Sequence, residues 1–441
     1  MKLSRRRFTS MSAIALAGIS TDASFSYNLL ASARNIGPND KINVGLIGCK
    51  NMGWGDLQDF LRIPEVECIA LCDVDSNYLN QRATDVEKIR GKKPQLFKDY
   101  RKLLDLKDLN VVIVGTPDHW HCLITVEAIK AGKDVYVEKP LANSIAECNI
   151  MASAAKNYNR IVQVGQQQRS GGEWQDAISV VKSGKLGKVS RIKCWANFNY
   201  GAVRPGTITT VPDGVDFDFW LGPAPERSFD NARFHGSWRM FWDYGGGLMT
   251  DWGVHLLDMG LWAKEVSSFP KKVIACGGKY SFPEYANETP DTLSVTFEYN
   301  DWVLEWEHNA GIESGPWGRN YGIAFIGTNG TLVADRSKWE VYPEGSKDKL
   351  RMEIIPARKS DNNMHLLHVQ NFVDCLKSGQ TPACSIETGR MAAIVAHLGN
   401  VALRTGTILE YNPVNQDFGN NKAANQLLLP VYRKPWVFPK L

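Results

Sequence analysis

The chain has 441 residues, with 51 Lys and Arg against 47 Asp and Glu, a formal net charge of +4. Lys2, Arg5, Arg6 and Arg7 against Asp22 carry +3 of that, so the remainder is close to neutral and has no electrostatic footprint for nucleic acid. The length suits two domains with ample core, no later stretch is apolar enough to span a bilayer, and the nine scattered cysteines contain no CxxC pair, which leaves them as small core residues rather than zinc ligands or a disulfide framework.

Ser4-Arg5-Arg6-Arg7-Phe8 has the form of a twin-arginine export signal. A mildly apolar run over 13–19, too short to cross a membrane, follows it, and Ala31-Ser32-Ala33 offers small residues where a signal peptidase reads. Residues 1–33 are therefore expected to be a leader and the product a soluble periplasmic protein without a membrane partner. That route carries folded proteins, often with their cofactor inside, into a compartment without a nicotinamide pool.

From 41 to 164 the chain alternates apolar strand-like runs (42–47, 66–72, 111–115, 135–138, 161–164) with helical patterns (99–104, 121–131, 146–157), the last opened by a Ser144/Glu147 capping box. Continuous apolar strands between amphipathic helices predict an α/β Rossmann domain, a doubly wound parallel sheet with its ligand crevice at the carboxyl ends of the strands. Over 165–412 the period changes. A helix at 173–182 leads to strands at 190–198, 272–280, 293–299, 302–308, 323–326 and 332–335, then helices at 364–378 and 387–404. This predicts an α+β domain with an open, mostly antiparallel sheet, followed by an extended tail over 413–441.

Gly48-Cys49-Lys50-Asn51-Met52-Gly53 follows the first strand and places its backbone and the next helix's N-terminus where a pyrophosphate would sit. Gly48 and Gly53 occupy the first and third glycine positions of G-x-G-x-x-G, while Lys50 holds the middle one. Asp73 ends the second strand, where a carboxylate accepts from adenosine ribose hydroxyls and repels a 2′-phosphate, favouring NAD over NADP. Thr116-Pro117-Asp118-His119-Trp120-His121 falls at the crevice. It reads as a capped helix start lining the cofactor or as a metal pair, and no further ligand pattern completes a metal site. Glu138-Lys139-Pro140 ends another strand at the same edge, where Lys139 is either solvated or placed to stabilise an alkoxide. Gly245-Gly246-Gly247 precedes a helical segment, 250–264, on which Asp251, His255, Asp258 and Trp262 share a stripe. Asp251 one turn from His255 is a surface pair, or a carboxylate orienting a general base. Tryptophans 195, 220, 238, 242, 252 and 262 read as core, and beside that polar stripe they also suit stacking on sugar rings.

Taken together, these residues resemble the Gfo/Idh/MocA family of NAD(P)-dependent oxidoreductases, which act mainly on sugars and polyols. The likeness rests on Gly48…Gly53, Asp73, the TPDHWH segment, Glu138-Lys139-Pro140, Trp242-Asp243-Tyr244-Gly245-Gly246-Gly247, Asp251-x-x-x-His255, His397-Leu398-Gly399-Asn400 and the YRKPW ending. It implies NAD as cofactor, held by Gly48, Lys50, Asn51, Met52, Gly53, Asp73, Thr116, Pro117, His121, Glu138 and Lys139. It further implies that His255, oriented by Asp251, removes a hydroxyl proton while Lys139 steadies the oxygen. Trp238, Arg239 and Trp242 join Lys139, Asp251 and His255 on the expected substrate side. The expected activity is oxidation of a sugar or glycoside hydroxyl with bound, internally recycled cofactor. An NAD-dependent glycosidase and a non-catalytic binding protein are the alternatives. The broad sheet is an expected surface for homo-oligomers.

Overall fold

The computed structural model describes residues 41–441, so the expected leader, with its arginines and 31–33 cleavage motif, lies outside the described residues. The first half runs β1 (Ile42–Ile47), α1 (Asn51–Phe60), β2 (Val66–Cys72), α2 (Ser76–Arg90), β3 (Gln95–Phe97), α3 (Tyr100–Leu104), β4 (Val111–Val114), α4 (Asp118–Lys130), β5 (Asp134–Val137), α5 (Ile145–Asn157), β6 (Val162–Val164). All pairings are parallel, in the order β3-β2-β1-β4-β5-β6. Val111, Val112, Ile113 and Val114 are fully buried, as expected for an unalternating apolar strand with helices on both faces. Helix starts are fixed by side chains. Asp75 accepts from the Asn77 N–H at 2.9 Å, Asp99 from Arg101 at 3.0 Å, and Ser144 from Glu147 at 3.3 Å.

Strand order reverses between β1 and β4, so the loops leaving those strands diverge and open a crevice at the carboxyl edge. Three glycines make the close approach there. Gly48 has φ +90°, a Cβ on Gly53 would lie 2.1 Å from the Gly48 carbonyl oxygen, and one on Gly115 would lie 2.4 Å from the Gly53 Cα. Only hydrogen side chains let α1 seat against β1 and β4.

The second half begins with α6 (Gly172–Lys182), β7 (Val189–Ala196), α7 (Phe217–Leu221), α8 (Gly247–Asp251) and α9 (Gly253–Ala263). Then come β8 (Lys272–Gly278), β9 (Thr292–Glu298), β10 (Val303–Asn309), β11 (Tyr321–Gly327), β12 (Gly330–Ala334), β13 (Lys338–Pro343), α10 (Met364–Ser378) and α11 (Ile386–Thr405). Seven of these strands order as β13-β12-β11-β7-β10-β9-β8, with the short strand Arg358–Lys359 beyond β13. Only β7–β10 is parallel, so the sheet is mostly antiparallel. Helix α9 covers β7, β10 and β11, and α11 covers β8 and β9. The tail returns to the first half: Trp436 meets the Trp120 ring at 4.8 Å and the Tyr432 hydroxyl donates to Glu147 at 2.5 Å.

Three local expectations change. Strands β3 and β13 were not among the predicted runs. The helix expected over 250–264 is interrupted at Trp252 (φ −101°, ψ −33°), whose N–H still bonds the Leu248 carbonyl at 3.0 Å and whose ring packs on Phe198 at 4.6 Å and Tyr321 at 4.8 Å. Of the nine free cysteines, eight are buried as expected, but Cys276 is exposed on edge strand β8.

The glycine contact gives a direct test. Gly53→Ala is expected to cost about 1–3 kcal/mol through overpacking, read as a lower urea midpoint. Gly55→Ala, on the same helix with open space around its Cβ, should hold or raise that midpoint.

Candidate active site

Gly48, Lys50, Asn51, Met52, Asp73, Thr116, Pro117, Glu138 and Lys139, from the ends of β1, β2, β4 and β5, line one crevice. Asp73 accepts from the Cys49 N–H at 2.6 Å and the Asp75 N–H at 2.9 Å, each on a different oxygen. A carboxylate oxygen has a second lone pair, so Asp73 can still accept from ligand hydroxyls. Burial raises its carboxyl to about 6, which leaves it ionised near neutrality. Lys50 replaces a glycine without blocking the loop, since its ammonium rests 4.5 Å from the Tyr78 ring centroid at the rim. The Thr116 hydroxyl oxygen and Glu138 Oε1 are buried with no partner. The lone pairs left on Asp73 and the close backbone approach at Gly48, Gly53 and Gly115 fit a dinucleotide. Burial, then the nearby Asp56, push the Glu138 carboxyl up to about 8.

At the crevice end, Lys139 donates to the Asp251 carbonyl at 2.9 Å and to Asp251 Oδ1 at 2.5 Å. The same carboxylate accepts from Arg239 Nε at 3.1 Å and from the Tyr200 hydroxyl at 2.7 Å. Burial alone would raise the Asp251 carboxyl, but the charges of Lys139 and Arg239 outweigh it and hold it well below the usual carboxylate range. His255 stands in the next helix with Nδ1 buried and unpartnered. Burial, then the charges of Arg336 and Lys139, hold its imidazole neutral well below the ordinary value.

Trp238 and Arg239 line the crevice as expected, the guanidinium 4.3 Å over the indole. Four assigned residues have partners within the fold that their spacing did not imply. Asp251 is not hydrogen-bonded to His255: its carboxylate is taken up by Lys139, Arg239 and Tyr200. His121 does not face a ligand, since its ring nitrogens lie 2.8 Å from the Pro140 carbonyl and 2.9 Å from that of Thr116, a buried brace between two crevice loops. Gly53 seats α1 instead of lining the crevice. Trp242 lies apart, under Arg404 at 4.8 Å and beside Asn143 and His397.

Other crevice residues escaped the sequence reading. Trp120 and Trp220 form a wall, the Trp120 Nε1 donating to the Trp220 carbonyl at 2.9 Å, and Phe219 stacks on Trp120 at 5.5 Å. Tryptophan density was a signal for that wall. Tyr200, which completes the Asp251 shell, and His235, which reaches Asp75 at 2.9 Å, had none, since each acts on a residue far off in sequence.

Asp251→Asn removes the counter-charge of two cations, and the loss of a buried pair costs about 3–5 kcal/mol. Because the native pKa is depressed, the contribution is fully present above the unfolded value near 3.9 and fades only as pH falls through the lower native one. The stability gap between wild type and variant, by chemical denaturation, should therefore stay flat from about pH 8 to 5. A gap that closes across that window would contradict this assignment.

Residues 42–166 match the model of an oxidoreductase family described as having an NAD-binding Rossmann fold. Residues 173–273 and 338–438 match that family's C-terminal alpha/beta domain. Among curated proteins, a glycosyl hydrolase family 109 protein of Shewanella pealeana is 28% identical over 208 residues, 43% of this chain and 45% of its own. An alpha-N-acetylgalactosaminidase of Shewanella oneidensis is 26% identical over 152 residues, 34% of this chain and 33% of its own. The matches thus span less than half of these relatives. Among solved structures, levoglucosan dehydrogenase with NADH and levoglucosan superposes with a TM-score of 0.63 at 18% identity, over 84% of this chain and 99% of that one. An aldose-aldose oxidoreductase from Caulobacter crescentus gives the same values. At such identity these likenesses establish the fold. With both domain models matched in order over most of its length, the chain belongs to the Gfo/Idh/MocA family of NAD-binding oxidoreductases.

Proposed function

We propose that this chain oxidises and re-reduces a hydroxyl-bearing carbon of a sugar or glycoside while keeping NAD bound between the two half-reactions. The observation that carries it is the Lys139 ammonium, fixed by Asp251 at the crevice end near a neutral His255. NAD, when bound, supplies the hydride acceptor and donor. Two of the three Lys139 N–H bonds go to Asp251, which leaves the third for a substrate oxygen, where the positive charge stabilises developing alkoxide. His255 is uncharged, so it can accept the hydroxyl proton, hold it and return it. Asp251, kept ionised by two cations, does not compete for that proton.

Retention of the nucleotide is supported by a strap from the second half that crosses the Asp73 end of the crevice. Asp216 donates its N–H to the Val74 carbonyl at 2.9 Å, and Ser76 Oγ donates to the Gly214 carbonyl at 2.7 Å. Asn77 Nδ2 reaches the Asp213 carbonyl at 2.9 Å, and His235 pairs with Asp75. Export in the folded state to the periplasm, as the leader's sequence argues, would deliver such an enclosed cofactor intact.

The curated relatives favour a second reading on the same residues, glycoside cleavage. Oxidation at C3 acidifies the C2 proton, the aglycone leaves, water adds, and the C3 ketone is reduced again, with no net redox change.

Heat-denatured native protein should release NAD or NADH in near-stoichiometric amount, and the as-isolated protein should change absorbance at 340 nm with a sugar and revert with a second. A nucleotide-free preparation would overturn retention. Release of phenol from an aryl glycoside without net NADH would decide for the glycosidase. Lys139→Met and His255→Asn should each lower kcat by about 10²–10⁴-fold, and unchanged turnover in either removes its role. The acid limb of kcat/KM should fall below the ordinary histidine value of about 6.5, since His255 stays neutral to lower pH.

A further inference from the structure

Arg336 carries a deeply set guanidinium with no counter-ion. It follows β12, and the sheet register brings it to the same end as Phe198 after β7 and Tyr321 opening β11, because Tyr321 pairs with Ala196 and Ile323 with Ala334. Trp252 completes this end of the site. Its ring lies 4.8 Å from Tyr321, 6.0 Å from His255 and 4.6 Å from the Arg336 guanidinium carbon. Arg336 Nε and Nη2 both donate at 3.2 Å to one neutral acceptor, Gln168 Oε1. Among the described residues no carboxylate pairs with it. Arg169, Arg239 and Arg319, similarly enclosed, hold Asp258, Asp251 and Asp335 at 2.7, 3.1 and 3.0 Å.

A buried guanidinium without an anion is costly, and it stays charged under all ordinary conditions. The neighbourhood deepens the imbalance, since Lys139 and Arg239 already share the single carboxylate of Asp251. Asp251, Glu138, Tyr200 and Tyr321 act on Arg336 only at longer range. With Nε and one Nη2 N–H turned to Gln168, one N–H on each terminal nitrogen still points away from it as a planar fork, the geometry that binds a carboxylate through two parallel hydrogen bonds. The indole of Trp252 lies beside it, 4.6 Å from the guanidinium carbon.

We infer that Arg336 anchors an anionic substituent, best a carboxylate, on the sugar that this site takes, so that uronate-type sugars are favoured over neutral ones. The inference rests on the sugar-oxidoreductase reading, and its test separates the two. NAD-loaded wild type, Arg336→Met and Arg336→Lys are titrated with methyl glucuronide, methyl glucoside and glucose 6-sulfate. Tryptophan emission reads binding and absorbance at 340 nm reads hydride transfer. Wild type should bind the glucuronide about 10- to 100-fold tighter than the glucoside, the usual worth of a hydrogen bond to a charged group. Arg336→Met should collapse that ratio towards one, and Arg336→Lys should restore part of it. A sulfate preference equal to that for the glucuronide would also support an anion site and place its selectivity in charge rather than planarity.

Equal affinity for glucuronide and glucoside in wild type overturns the inference, whatever the variants do, and so does a ratio that survives Arg336→Met. If the charged sugar binds in an Arg336-dependent manner while neither sugar alters 340 nm absorbance, the anion site stands and the oxidoreductase reading falls. If the neutral glucoside alone transfers hydride and no charge preference exists, the reverse holds. As a separate readout of proximity, loss of the Arg336 charge should move the acid limb set by His255 to higher pH.

Discussion

The carboxylate of Asp251 ties a lysine of the first half to residues of the second at the crevice end. Lys139 comes from the end of β5 in the parallel sheet, while Asp251, Arg239 and Tyr200 come from the second half. Both partners of the central pair are nearly enclosed, with side chains 11% and 10% exposed. At that burial a lone carboxylate would tend to gain a proton. The charges of Lys139 and Arg239 outweigh burial and hold Asp251 well below the usual carboxylate range. Docking of the second half and orientation of the Lys139 side chain are therefore one event.

That arrangement also divides the acid–base work. Asp251, fully committed to cations, is a fixed charge and not a proton carrier. The neutral group left over is His255, and its neutrality is imposed from two sides, by burial and by cations at Arg336 and Lys139. A carboxylate bonded to His255, as the i, i+4 spacing implied, would have raised the imidazole's basicity and kept it charged to higher pH. Asp251 bonds Lys139, Arg239 and Tyr200 instead, and the Trp252 indole packs 4.8 Å from Tyr321 at the end of the sheet.

Legibility followed locality. The strand runs of the first half other than β3 were readable because each is a continuous apolar segment whose helix caps lie within a few residues, as with Asp99 and Ser144. The crevice residues Asp73, Thr116, Glu138 and Lys139 were readable because the topology of a doubly wound sheet fixes which strand ends meet. What failed depended on distant partners. His121 looked like a ligand-facing histidine, and only the closeness of the Thr116 and Pro140 carbonyls shows that it braces two loops. Trp242 looked like a sugar platform until Arg404, more than 150 positions on, was found over its ring. Tyr200 and Arg336 carry no local pattern at all, since they acquire meaning only when the register of β7, β11 and β12 brings their strand ends together.

The crevice is closed by chain segments that could not have been placed from local pattern. The strap ties Val74, Asp75, Ser76 and Asn77 to the second half at the Asp73 end, through four hydrogen-bonded points. On the other side, Trp436 of the tail wedges against Trp120 and Phe219, and Arg433 holds the Gly222 carbonyl, so the aromatic wall is itself held from behind. Under the proposed function, a nucleotide held between Asp73 and Lys139 would be kept by these docking contacts, without exceptional affinity at the glycine loop, where Lys50 departs from the usual residue.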